Sequence, residues 1–93
     1  MRRDAKVDAN QPAIVAALRD TGATVQHLHF VGRGCPDVCV GIDGVNYLFE
    51  IKVPGHYKAE DKLTDAERKW HEEWKGQVAI IQTADDALEV MGK

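Results

Sequence analysis

The chain has too little cysteine for a disulfide framework. It holds two, Cys35 and Cys39, on one short segment. A bridge between them would close a trivial loop and restrain the unfolded chain little, so both are read as reduced thiols. No run approaches the ~18 consecutive apolar residues that cross a bilayer, which excludes a membrane-spanning protein. The basic start, Met1-Arg2-Arg3-Asp4-Ala5-Lys6, leads into Val7-Asp8-Ala9-Asn10 rather than an apolar stretch. No secretory signal is readable, and an intracellular, cytoplasmic location is expected. With 93 residues there is no room for a second core, so residues 1–93 are read as a single domain.

An excess of positive charge is missing as well. The formal net charge is -3, which lowers the prior for a nucleic-acid binder without excluding a localised site. The charge is unevenly spread: residues 1–58 carry seven Lys and Arg against six Asp and Glu, and residues 59–93 carry five against nine. The basic side chains lie toward the front.

What is present is a clear alternation of helix and strand signals. Residues 8–21 read as a helix, with Ile14, Val15, Ala17 and Leu18 as its apolar stripe, Asp8 as a cap, Pro12 tolerated near the first turn and Gly22 as the stop. Residues 23–31 carry a strand-like alternation of Val25, Leu28 and Phe30, and the loop Gly32-Arg33-Gly34-Cys35-Pro36 follows. Residues 37–42 and 45–53 are rich in Val, Ile, Tyr and Phe and are separated by Asp43-Gly44, the pair favoured in a two-residue type I′ turn; they form a hairpin. After a polar loop over 54–61, Thr64 and Glu67 are spaced as a capping box for a helix over 65–75 that Gly76 ends. Residues 78–82 are a short apolar strand, and Thr83 with Asp86 opens a last helix through Met91. The order is αβββαβα. It implies an α/β domain with a small central mixed sheet, a hairpin extended by the last strand through a helical crossover, and helices on its faces.

The turn fixes register. With a two-residue loop, Ile42 faces Val45 and, counting back along both strands, Asp37 faces Glu50. Opposed residues share a face with Cβ atoms ~5 Å apart, where like charges repel. Lys52 points to that face too, since side chains alternate along a strand. The other face carries Val38, Val40, Ile42, Val45, Tyr47, Phe49 and Ile51, which is a core face. The two carboxylates can share a proton, be neutralised by Lys52, or bind a hard cation such as Mg²⁺ through oxygen. The last is a phosphodiester-cleaving arrangement, with a lysine nearby to stabilise developing charge. The bland reading is a surface carboxylate-lysine pair beside a tight turn.

The same residues resemble a known family. Pro36-Asp37, a strand-turn-strand and Glu50-Ile51-Lys52 are similar to the PD-(D/E)xK nuclease signature. A wider run is more specific: Asp8-Ala9-Asn10-Gln11 opening a helix that reaches Leu18-Arg19-x-x-Gly22, then Gly34-x-Pro36-Asp37, Glu50-Ile51-Lys52-x-Pro54-Gly55, and Asp61-Lys62-Leu63-Thr64 before a helix. Over nearly the whole chain it resembles the virus-type replication-repair nuclease (VRR-NUC) domain, in a stand-alone phage-type form. The resemblance implies a restriction-endonuclease-like core and a DNA endonuclease dependent on Mg²⁺ or Mn²⁺. Asp37, Glu50 and the Ile51 carbonyl would be metal ligands, and Lys52 would lie near the attacking water. Holliday-junction or other branched DNA is the implied substrate and a homodimer the implied working unit. Gln11 stands where the family's first helix usually brings a Glu; it joins the catalytic set as a residue that orients water and adds no charge. Glu67 stands where the family usually has a Gln.

Other features have weaker claims. Arg2, Arg3, Lys6 and Arg33 are candidate phosphate contacts, and so is Lys58 with His56 and Tyr57; Arg33, Lys58 and Arg3 are the preferred three. The bland reading is a solvated loop and tail. A zinc site from Cys35, Cys39, His27 and His29 is disfavoured, since one C-x3-C pair has no matching second pair. Trp70 and Trp74, one helical turn apart, are expected to pack in the core, with a dimer contact as the other reading. The runner-up function is a nucleic-acid-binding or assembly module that keeps the fold without hydrolysis.

Overall fold

The computed structural model describes residues 8–55 and 62–93. The elements run α1 (Gln11–Asp20), β1 (Thr24–His27), β2 (Val38–Ile42), β3 (Val45–Ile51), α2 (Asp65–Glu73), β4 (Ala79–Ile81) and α3 (Ala84–Val90). Order and element types agree with the sequence reading. The four strands form one sheet in the order β1-β2-β3-β4. The β1–β2 and β2–β3 pairs are antiparallel and the β3–β4 pair is parallel. Parallel neighbours need a long crossover, which α2 provides.

The hairpin turn behaves as its two residues dictate. Asp43 and Gly44 have φ of 54° and 78°, the positive values that a type I′ turn requires. Ile42 pairs with Val45, and the register runs unbroken to Val38 opposite Phe49. Val38, Val40, Phe49 and Ile51 are therefore on one face, where they are buried against Ile14, Val15 and Leu18 of α1 and Ala87 and Met91 at α3. Burying a side chain such as Phe49 or Ile51 contributes about 1.5–3 kcal/mol. Ile42 and Tyr47 pack at the margin of this core. Val45 departs from the expected core face and is exposed, because it sits at the hairpin tip.

Several boundaries differ from expectation, the start of α1 and the end of β1 by the most. Helix α1 begins at Gln11 rather than Asp8. Asn10 is its N-cap and makes no side-chain cap; its amide donates instead to the carbonyls of Lys52 (3.1 Å) and Gln82 (2.9 Å). Strand β1 ends at His27, not Val31. Beyond it the chain turns, with the Val31 N–H on the Leu28 carbonyl (2.9 Å) and positive φ at Gly32, Arg33 and Gly34. Helix α2 ends at Glu73, and Trp74 is already extended.

The expected core role of Trp70 and Trp74 is not what the fold uses. Helix α2 has no buried residue, and Trp74 is 43% exposed. The indoles stack on each other with centroids 4.5 Å apart, while the Trp74 N–H donates to the Gln77 carbonyl at 3.1 Å. Their helical spacing serves mutual stacking, with Trp70 half-buried and Trp74 exposed.

Candidate active site

Asp37 stands where the β2–β3 ladder ends. Its N–H donates to the Phe49 carbonyl (3.1 Å), and its carbonyl accepts the Leu28 N–H (2.7 Å), so its backbone is held from both neighbouring strands. Its side chain turns along the sheet end, where Oδ2 accepts the Ile51 N–H at 2.7 Å. In a strand a residue's N–H and C=O project to the same side, so the Ile51 carbonyl also faces the gap left by the end of β2. The sequence reading placed Asp37 and Glu50 directly opposed; the regular pairing instead stops at Val38 opposite Phe49, and the carboxylates meet just past it.

Glu50 is 2% exposed, and its Oε1 has no hydrogen-bond partner among the described residues. Its Oε2 lies 3.5 Å from the Lys52 Nζ. Burial pushes the Glu50 carboxyl up to about 9, and the negative charges of Asp37 and Glu67 add to this while Lys52 opposes it. Asp37 is also raised, by burial first and by Asp8 and Glu67, against its Ile51 hydrogen bond and that with Glu50. Two acids so placed favour a state in which one proton remains on the pair.

Lys52 is held at 2.7 Å by Glu67 Oε1. Burial lowers its pKa, but the hydrogen bond to Glu67 and the charges of Glu50, Glu67 and Asp8 outweigh that and raise it. For Glu67, burial works upward, yet the bonds from Lys52 and the Thr64 N–H hold it below its ordinary value. The expected capping box is formed: Thr64 Oγ1 accepts the Glu67 N–H (3.1 Å), and Glu67 Oε1 accepts the Thr64 N–H (2.9 Å). The oxygen that caps the helix is the one that receives Lys52. Helix α2 approaches the site over Gly34, whose φ is +82° and where an added Cβ would collide with the Ala66 carbonyl and lie 2.8 Å from the Glu67 nitrogen.

Of the residues chosen from the sequence, Asp37, Glu50, Ile51 and Lys52 come together. Gln11 is 1% exposed, and its Nε2 approaches His27 Nδ1 at 3.4 Å. Arg33 is exposed in the loop before Asp37. Arg3 and Lys58 lie outside the described residues, as do Arg2, Lys6, His56 and Tyr57. Sequence reasoning missed Asp8, read only as a helix cap, whose charge acts on both Asp37 and Lys52. It also missed Asn10, which ties α1 to the ends of β3 and β4. The only signal for either was their place in the Asp8-Ala9-Asn10-Gln11 run.

Chemically, the pair offers hard oxygen donors, one of them on a buried carboxyl, with the Lys52 ammonium 3.5 Å from Glu50. Among the described residues no three His, Cys, Asp or Glu side chains form a ready metal-holding group. A cation here would therefore draw further ligands from the Ile51 carbonyl and water. No helix among the described residues is long and apolar enough to cross a membrane. The fold is a small α/β domain with a buried Glu50 beside a half-buried Asp37 at one sheet end. No family model, curated protein or solved structure matches the chain.

Proposed function

We propose that this chain is a divalent-metal-dependent endonuclease that hydrolyses DNA phosphodiester bonds, built on a PD-(D/E)xK core of the VRR-NUC kind. The observation that carries the reading is the position of Glu50: a buried carboxyl with an unpartnered oxygen, beside Asp37 and 3.5 Å from Lys52. An unsatisfied buried acceptor costs about 1–3 kcal/mol, and a hard cation would relieve that cost. Asp37, Glu50 and the Ile51 carbonyl would hold Mg²⁺ or Mn²⁺. The ion, when bound, supplies Lewis acidity toward a phosphate oxygen and water.

The protein groups do the rest. Glu50 would hold the cation as its carboxylate, its proton released to solvent. Lys52 stabilises negative charge developing on the phosphate, and Glu67 holds its ammonium at the site. Cleavage of branched DNA by a homodimer is part of the proposal, since one small domain offers little surface to a duplex and two-fold closure is the commonest homo-oligomer. Exposed Phe30 and Trp74 are the candidate contacts.

A second reading, a binding module on the same fold without hydrolysis, draws on Gln11: it is an amide that adds no charge to the site, and it pairs with His27 instead. Incubation of purified protein with linear and branched DNA separates the two. Cleavage that requires Mg²⁺ or Mn²⁺ supports the nuclease; DNA binding with no cleavage under either ion supports the module.

A further inference from the structure

A cleft of about 300 Å³ lies between α1 and the end of β1, lined by Gln11, Pro12, Val15, Ala16, Arg19 and His27. Its volume falls at the lower end of small-ligand sites. Its Gln11 and His27 lie toward the same end of the sheet as the carboxylates. Asn10, next to Gln11, donates to the Lys52 carbonyl, and His27 pairs with Val38, the residue after Asp37.

The floor of the cleft is chemically incomplete. Gln11 is 1% exposed, and its Oε1 has no partner among the described residues, while Nε2 is engaged by His27 Nδ1. Exchanging the amide's oxygen and nitrogen would not help, because one end would still be left without a partner. When His27 Nδ1 accepts, its ring proton is on Nε2. The site then offers an acceptor on Gln11 and a donor on His27. Pro12, Val15 and Ala16 supply an apolar wall, and Arg19 stands at the rim with one guanidinium N–H on the Val25 carbonyl (3.3 Å). An acceptor and a donor beside an apolar wall match a nucleobase, whose hydrogen-bonding edge carries both kinds of group and whose face is apolar. A cation at the rim suits the attached phosphate.

We infer that this cleft receives one unstacked nucleobase of the DNA strand bound at the carboxylate site, with Gln11 and His27 on its edge and Arg19 toward its phosphate. The inference rests on the nuclease reading and gives it a substrate class: strands with an unpaired or easily extruded base, where the cost of unstacking is least.

The test uses metal-free protein and two probes, deoxyadenosine monophosphate and a short single-stranded oligonucleotide, followed by NMR. Both should shift the Gln11 side-chain amide and the His27 ring, whereas deoxyribose 5-phosphate should not. Ala16→Trp, which fills the cleft from an exposed helix position, should weaken both probes at least tenfold and leave the circular dichroism unchanged. Absence of shifts in the cleft at millimolar nucleotide overturns the inference, as does an equal response to deoxyribose 5-phosphate. Loss of nucleotide binding with unchanged oligonucleotide affinity assigns the cleft to free nucleotides and overturns its use on DNA. Metal-dependent cleavage by the unmodified protein is measured separately. Cleavage with a silent cleft removes this inference alone; binding of both probes without cleavage removes the nuclease reading and leaves a base-binding cleft.

Discussion

Asp37 Oδ2 accepts the Ile51 N–H at 2.7 Å, so the carboxylate of one strand end closes the backbone gap of the next. This contact orients Asp37 beside Glu50. Asp37→Asn keeps the side-chain shape and an oxygen able to accept the Ile51 N–H, but removes the charge. Cleavage should fall below detection while the far-ultraviolet circular dichroism stays unchanged. Full activity in Asp37→Asn removes Asp37 from the chemistry.

The pH dependence of stability follows from Glu50. Its carboxyl is near 4.5 when ordinary and about 9 in the fold, so between those values the folded state binds more protons than the unfolded chain. The contribution of Glu50 to stability in EDTA should therefore be fully present below pH ~4.5 and decline as pH rises toward 9, with a slope of at most ~1.4 kcal/mol per unit. Glu50→Gln should flatten that decline and raise the Tm at pH 8 by roughly 4 °C or more, the shift expected for 1 kcal/mol in a domain of this size. Thermal unfolding across pH 4–9 reads both. Parallel profiles for the two proteins would place the raised carboxyl elsewhere.

Lys52 is a charge-stabilising group in this account and no ligand. Lys52→Ala should lower kcat by about 10²–10³ and leave calorimetric Mn²⁺ affinity nearly unchanged. Collapse of metal binding with surviving turnover would make Lys52 a structural partner of Glu50 and Glu67.

Gly34 sets the approach of α2. Gly34→Ala combines a positive φ with a collision against the Ala66 carbonyl, whereas Gly92→Ala has φ +75° and open space around it. The second should cost only the ~1–2 kcal/mol of the left-handed conformation; the first should cost more in urea unfolding and also displace Glu67, lowering activity. Equal costs would mean that the close packing of Gly34 on α2 is not maintained in solution.

Phe30 is 71% exposed and Trp74 43%. Sedimentation at micromolar concentration should give a dimer, and Phe30→Glu or Trp74→Glu should give a monomer if that side chain lies in the interface. A monomer throughout, nicking one strand of a junction, contradicts the symmetric-cut proposal.

The parts of this fold written in local chemistry were readable. Asp43-Gly44 could form only a few turns, and the capping boxes at Thr64 and Thr83 needed only four consecutive residues each. The face shared by Val38, Val40, Phe49 and Ile51 followed from the turn because side-chain period along a strand is two. The unread parts depend on contacts distant in sequence. Nothing in residues 8–11 shows that Asn10 will leave its capping role for the Lys52 and Gln82 carbonyls, or that Gln11 will turn to His27. Trp70 and Trp74 have helical spacing whether their face meets a core or each other, and only tertiary packing decides which. The turn of Asp37 toward the Ile51 N–H arises where the ladder stops, which strand alternation does not describe.

The most direct measurement is cleavage of a labelled four-way junction and its linear duplex by the wild-type chain and by Glu50→Gln, in Mg²⁺, Mn²⁺ and EDTA. The account predicts scission of the junction by the wild type with either ion, none in EDTA, and none by Glu50→Gln under any condition. Scission that persists in EDTA or in Glu50→Gln, or its absence from correctly folded wild-type protein with both ions, contradicts a metal-dependent nuclease centred on Asp37 and Glu50.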